Sequence, residues 1–303
     1  MTLYTNISSN VRKTWLLMSL FFVFIIAIGW LFSYLYNSSD ILIFAIVLSL
    51  VSSFTSYWFS DKIVLGLSHA QEIKKQDAPE LYRLVENLSI TAGLPLPKIY
   101  IIDEVAPNAF ATGRDKNHAV IAVTKGLLAK LEKVELEGVI AHELSHIGNK
   151  DMLLQTVIVV LVGTIAMLSN IFLRMNFFRG GFGRRSDNRE SGSSGIILII
   201  FTLIALILAP IAATLIRLAI SRKREFLADA SSAMLTRYPE GLAKALEKIS
   251  TDPNPVRVAS NATAHLYIAN PLKEKEGANW LNKLFMTHPP IQERIKKLRE
   301  TSF

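Results

Sequence analysis

Four stretches of the chain carry no charged side chain and are long enough to cross a bilayer as helices, which takes about 20 residues. They run from Thr14 to Ser39, Ile41 to Ser60, Met152 to Leu173 and Ser191 to Ile216. Charged residues fence the later three: Asp40 and Asp61, then Asp151 and Arg174, then Glu190 and Arg217. The first is too long for the core of a cleaved signal peptide and has no clear small-residue cleavage site, so it reads as a retained span. Pro210 predicts a kink in the fourth.

The polar remainder has shorter periods. Lys98 to Ile102 and Ala119 to Val123 read as strands, and Thr124 can cap a helix starting at Lys125. Glu80 to Ala92 and Pro239 to Ile249 have helical patterns. So does the stretch containing Val134, Leu136, Val139, Ile140, Leu144 and Ile147, which Gly148-Asn149 can stop. The expected organisation is a membrane hairpin over 1–61, the first half of a soluble unit over 62–150, a second membrane pair over 151–216 and the second half over 217–303. The loop of that second pair is Gly/Arg/Ser-rich from Arg179 to Gly195. The expected fold is thus α+β: a polytopic helical membrane protein with about four spans, carrying one catalytic domain interrupted by the membrane pair.

Basic residues orient the first hairpin. Arg12 and Lys13 precede the first span, the turn Asn37 to Asp40 has no Lys or Arg, and Lys62, Lys74 and Lys75 follow the second. Both ends of the hairpin should be cytoplasmic. The second pair conflicts with this rule, because Arg174, Arg179, Arg184, Arg185 and Arg189 lie in its connecting loop. Either that loop is exported against the rule, or the two segments pack without crossing.

Half of the 303 residues are hydrophobic and 19% are charged, which places the chain in the membrane class. The formal charge of +8 then fits topology and contact with anionic lipid, and no nucleic-acid motif accompanies it. The absence of cysteine excludes disulfides, thiolate ligands and a cysteine nucleophile.

One pentapeptide carries chemistry. In His142-Glu143-Leu144-Ser145-His146 the two imidazoles stand at i and i+4, on one helix face, and can share a metal ion. Glu143 sits beside that ion, where a carboxylate can accept a proton from water. Glu132, Lys133, Glu135 and Glu137 before the motif, and Lys150 and Asp151 after it, put it outside the bilayer core. That argues against cleavage within the membrane.

A catalytic zinc takes three protein ligands and keeps one position open. Without cysteine, the third must be His or carboxylate. Glu225 is the best placed, in Ser221-Arg222-Lys223-Arg224-Glu225-Phe226-Leu227-Ala228-Asp229 directly after the fourth apolar stretch. Asp229 lies one helical turn on, where it can take the second N–H of a ligand imidazole. By itself, this segment would more often be a solvated acidic face paired with Arg222 or Arg224; the need of a zinc site for a carboxylate decides against that here.

His142-Glu143-x-x-His146 followed by Glu225-x-x-x-Asp229 resembles the glutamate-zincin pattern. With the apolar spans, Asn108 to Gly113 and Thr287-His288-Pro289-Pro290, the chain resembles the HtpX family of bacterial membrane zinc metallopeptidases over nearly its whole length. That family is related to CAAX prenyl proteases. The resemblance implies one zinc ion, with Glu143 as general base, and an endopeptidase of the bacterial inner membrane whose site faces the cytoplasm. It implies quality control of membrane proteins, so the partners are peptide and membrane-protein substrates and the bilayer. It also implies an edge strand at Asn108, Ala109 and Phe110 that binds substrate, a role for His288 in stabilising the oxyanion, and His142 as the partner of Asp229. A non-catalytic membrane scaffold or metal-transport protein with an incidental motif is the competing class, and an intact ligand set with an intact base argues against it.

Overall fold

The computed structural model describes residues 3–179, 214, 222–260, 262–272 and 289–301. Two helices open the chain, α1 (Leu3–Tyr36) and α2 (Ser39–Trp58), joined by a turn in which Asn37 takes a left-handed conformation. They form a close antiparallel pair. A Cβ at Gly29 would meet the Ala45 Cβ at 2.1 Å, so only glycine allows that approach. The inward face of α2 is a run of small residues, Ala45, Ser49, Ser52 and Ser56, repeating at helical spacing.

A short α3 (Ser60–Leu67) leads to a four-stranded sheet. Its strands are β1 (Gln71–Glu72), β2 (Lys98–Ile102), β3 (Ala109–Thr112) and β4 (Val120–Thr124), in the order β1-β2-β4-β3. The central β2 and β4 run parallel, whereas β1 and β3 pair antiparallel at the two edges. The crossover between β1 and β2 carries α4 (Pro79–Ala92), ended by Gly93 at φ 65°. The Thr124 hydroxyl accepts from the Leu127 N–H and starts α5 (Lys125–Lys130).

The HExxH segment lies in α6 (Lys133–Gly148), which begins with a reciprocal cap between Glu132 and Glu135. Apolar residues surround this helix, because it packs against the sheet on one side and against α8 (Arg222–Thr236) and α9 (Pro239–Thr251) on the other. Gly138 lets α9 come close: a Cβ there would sit 2.7 Å from the Leu242 nitrogen. The Ser232 hydroxyl of α8 donates to the Gly138 carbonyl at 2.7 Å. One apolar core joins Leu84, Val85, Ile121 and Val139 from before α7 (Asp151–Arg179) to Leu242, Leu246 and Ile295 from after it, the last from α10 (Ile291–Arg299).

Helix α7 leaves this core and runs between α1 and α2, where Leu154, Val157, Ile158 and Leu161 meet Leu17, Phe21 and Ile25. Among the described residues three helices are long and apolar enough to cross a membrane: Ser8–Leu35, Ser39–Trp58 and Asp151–Leu168. They coincide with the first three stretches expected from the sequence. The fourth, from Ser191 to Ile216, falls outside the described residues except for Thr214.

Candidate metal centre

α6 presents His142 and His146 on one face, and α8 crosses that face with Glu225. Ligand atoms of the three residues lie within 4.8 Å of one another, all buried. The His146 and His142 Nε2 atoms are 3.2 Å apart. Glu225 faces both, with Oε1 3.6 Å from His146 Nε2 and Oε2 3.9 Å from His142 Nε2. Two ring nitrogens and a carboxylate therefore converge on one point.

The outer ring nitrogens are held from behind. His146 Nδ1 is hydrogen-bonded to Asp151 Oδ2 at 3.0 Å. His142 Nδ1 is 3.0 Å from Asp229 Oδ1, at ion-pair distance but without hydrogen-bond alignment. Each imidazole thus turns Nε2 inward. Sequence spacing placed Asp229 near a ligand histidine. It did not point to Asp151, which is readable only as the polar boundary of an apolar stretch.

Asp151 is fully buried. It receives the Asn10 amide of α1 at 2.6 Å and lies 3.2 Å from Arg224 Nε. Asp229 has its own cation, since Arg294 Nε and Nη2 donate to its two oxygens at 2.9 and 2.7 Å. Arg294 is fully buried and also donates to the Ile268 carbonyl at 2.8 Å. Nothing in the local sequence marks Asn10 or Arg294, and Arg224 stands there only as a possible surface partner of the Glu225 segment.

In the metal-free site burial is the largest single influence on each group, but neighbouring charges outweigh it at His146 and Asp229. Burial pulls His142 below its ordinary value despite the neighbouring Asp229. It acts the same way on His146, but the Asp151 bond and the charges of Glu225 and Glu143 lift that ring to about 9. Glu143 is pushed up to about 7 by burial and by the Glu225 charge. The Ala111 N–H of β3 faces its carboxylate and pulls the value the other way, which places the proposed base at the sheet edge. For Asp229 burial would raise the value, but Arg294 and His142 hold it down at about 2.

β3 is the edge strand nearest the site, but much of its outward side is already occupied. The Ala109 carbonyl accepts the Ile268 N–H at 3.0 Å. The Asn108 amide donates to the Ala269 carbonyl at 3.0 Å, and Phe110 packs edge-on against Tyr267. Asn108, Ala109 and Phe110, expected to meet substrate, are thus engaged by the chain's own 267–269 segment. Because strand carbonyls alternate, the Ala111 carbonyl points outward with that of Ala109. His288 lies outside the described residues.

Apolar helices joined to a buried HExxH helix that faces a glutamate are the construction of a membrane-bound metallopeptidase. Comparisons with known proteins agree. The sequence profile of Peptidase family M48 matches residues 75–302. A "Protease HtpX homolog" of Streptococcus gordonii is 43% identical over 300 residues, covering 98% of this chain and 99% of that one. A second, from Dictyoglomus turgidum, is 47% identical over 299 residues, covering 98% and 94%. The crystal structure of S. mikatae Ste24p shares the fold, with a TM-score of 0.50 at 23% identity, over 95% of this chain and 67% of that chain. The chain belongs to Peptidase family M48, among its HtpX members, and is a membrane-bound metalloprotease.

Proposed function

We propose that the chain is a zinc endopeptidase of the bacterial inner membrane, with zinc held by His142, His146 and Glu225. The convergence of two Nε2 atoms 3.2 Å apart on one carboxylate carries this reading. Four ligands at about 2.0–2.2 Å from zinc stand roughly 3.3–3.6 Å apart, close to the spacing of these donors. The charge balance also fits a dication. Glu143, Asp151, Glu225 and Asp229 are all buried, and among the described residues only Arg224 and Arg294 are buried arginines beside them. An all-nitrogen-and-oxygen donor set built on two imidazoles suits zinc.

When bound by His142, His146 and Glu225, zinc would supply Lewis acidity for activating water and the scissile carbonyl. Glu143 takes the proton of the attacking water on its carboxylate and delivers it to the leaving amine. The Ala111 N–H orients that carboxylate. An extended substrate pairs with the outward Ala111 carbonyl and continues past Gly113, while Asn108, Ala109 and Phe110 fix the strand through the 267–269 segment. By resemblance, His288 donates to the oxygen of the carbonyl under attack.

Residues 62–150 and 217–303 form one catalytic unit, a reading supported by their shared core. It lies on the cytoplasmic side, given Arg12, Lys13 and Lys62 at the ends of the first hairpin. The substrates are misfolded or damaged membrane proteins, as the resemblance implies. The test is cleavage of a model membrane protein by the purified enzyme, with zinc and with chelator, beside Glu143→Gln. Cleavage should need zinc and Glu143. Chelator-resistant cleavage, or turnover by Glu143→Gln within a few-fold of wild type, would refute the mechanism.

A further inference from the structure

The second membrane helix ends in aromatic residues, and a cavity of about 400 Å³ opens beside them. Phe54, Trp58 and Phe59 line it from the membrane side. Lys98 and Arg114 line it from the side of the sheet, and Lys62 of α3 stands between the two sides. The Arg114 guanidinium lies over the Trp58 ring, 4.7 Å from its centroid, and Lys62 Nζ is 5.3 Å from that of Phe59. Trp at the end of a span marks the headgroup level of a bilayer.

The charges are unevenly used. Glu72 holds Lys98 at 3.1 Å, and Asp115 holds Arg114 through Nε at 3.5 Å. An Arg114 terminal nitrogen also meets His118 Nε2 at 2.7 Å. Lys62 has no carboxylate within ion-pair distance among the described residues. Asp61 is the one carboxylate on the cavity wall. Lys62 and the other terminal nitrogen of Arg114 can therefore receive an anion, and Asp61 can accept from hydroxyl groups attached to it.

The approach to the cavity is apolar. Val47, Leu50, Val51, Phe54 and Trp58 follow one another along a single face of α2, and all are exposed. Phe54 and Trp58 belong to both this stripe and the cavity wall. An occupant that suits both parts has a hydrocarbon chain and an anionic head.

We propose that this cavity binds the phosphodiester headgroup of an anionic phospholipid bearing headgroup hydroxyls, with an acyl chain along the α2 stripe. The site is separate from the metal centre, and its occupancy does not depend on the zinc assignment.

The test is native mass spectrometry of the full chain, delipidated in detergent and titrated with phosphatidylglycerol or phosphatidylcholine. Wild type should bind one phosphatidylglycerol about tenfold more tightly than phosphatidylcholine. Lys62→Gln and Arg114→Gln should each lose about fivefold of that preference, as expected for removal of one basic group near an anionic headgroup. Lys296→Gln, on the exposed side of α10, should lose none. Should Arg114→Gln fail to fold, Lys62→Gln decides the matter alone, because Lys62 is exposed. Equal affinity for the two lipids, or an unchanged preference in Lys62→Gln, overturns the proposal. So does displacement of phosphatidylglycerol by millimolar glycerol phosphate, which would make the site one for a free phosphate ester.

Discussion

Arg294 and Asp229 are 65 residues apart in sequence and joined by two parallel bonds of 2.9 and 2.7 Å. Both are buried, and Asp229 in turn stands behind His142. Arg294→Met leaves Asp229 beside Glu225 without its counter-charge. Breaking such a buried pair costs about 3–5 kcal/mol. Denaturant melts should show that loss, and the Arg294→Met/Asp229→Asn double variant should recover part of it. A loss under about 1 kcal/mol would show that the pair is not a stabilising element.

The same pair sets an acid limit. Asp229 is held at about 2, below the ordinary carboxylate value. A depressed value contributes stability that is complete above about pH 4 and is lost as the pH falls towards 2. Acid unfolding of the metal-free protein should therefore extend over that window. In Arg294→Met the Asp229 value rises, so this contribution shrinks and the stability gap between the two proteins should narrow as the pH falls from about 5 towards 2. A gap that stays constant over that range would remove Arg294 as the cause.

Much of this architecture can be read from the chain, and its gaps have a physical pattern. The His142, His146 and Glu225 grouping was legible because a helix fixes i,i+4 geometry and a site without cysteine has few other donors. Strand Lys98–Ile102 and helix Lys125–Lys130 followed from local pattern and the Thr124 cap. Asp151, Asn10 and Arg294 were not legible. Each acts across a tertiary contact between elements far apart in sequence, and each looks locally like an ordinary boundary or surface residue. The filled edge of β3 was hidden for the same reason, since Ile268 meets Ala109 only in the fold.

Asp151 should matter to the metal as much as Asp229 does. It anchors His146 at 3.0 Å and is itself anchored by Asn10 at 2.6 Å. Loss of a carboxylate behind a ligand imidazole weakens metal binding by about 10–100-fold. Chelator competition on Asp151→Asn should show a drop of that size. Asn10→Ala should show a smaller drop in the same direction, which would make the first membrane helix a support of the metal site. Wild-type affinity in Asp151→Asn would show that His146 needs no such anchor.

Glu225→Ala should bind little metal, whereas Glu143→Gln should keep it. Glu225 faces both ring nitrogens, while Glu143 lies beside the Ala111 N–H. Metal content after dialysis separates the two roles, and full occupancy in Glu225→Ala would reject its place as a ligand. The general base must be ionised, so kcat/KM should fall as the pH drops through the Glu143 value. Burial sets that value at about 7 in the metal-free site. A bound dication can only lower it, so the acid limb should have its midpoint at or below about 7.

The side of the membrane that holds the site can be decided by single cysteines, because the chain has none of its own. Ser38 lies in the turn between the first two membrane helices, and Ser250 lies in α9 of the soluble core. They should label from opposite faces of sealed vesicles, Ser250 from the cytoplasmic one, as Arg12, Lys13 and Lys62 require. Labelling from one face would overturn the topology. Ser186, among the arginines of the loop after α7 and outside the described residues, tests the remaining conflict. The length of the apolar run from Ser191 to Ile216 favours a true crossing, which exports that basic loop against the charge rule. External labelling at Ser186 is therefore expected. Cytoplasmic labelling would mean that charge outweighs length here, and that this segment packs without crossing.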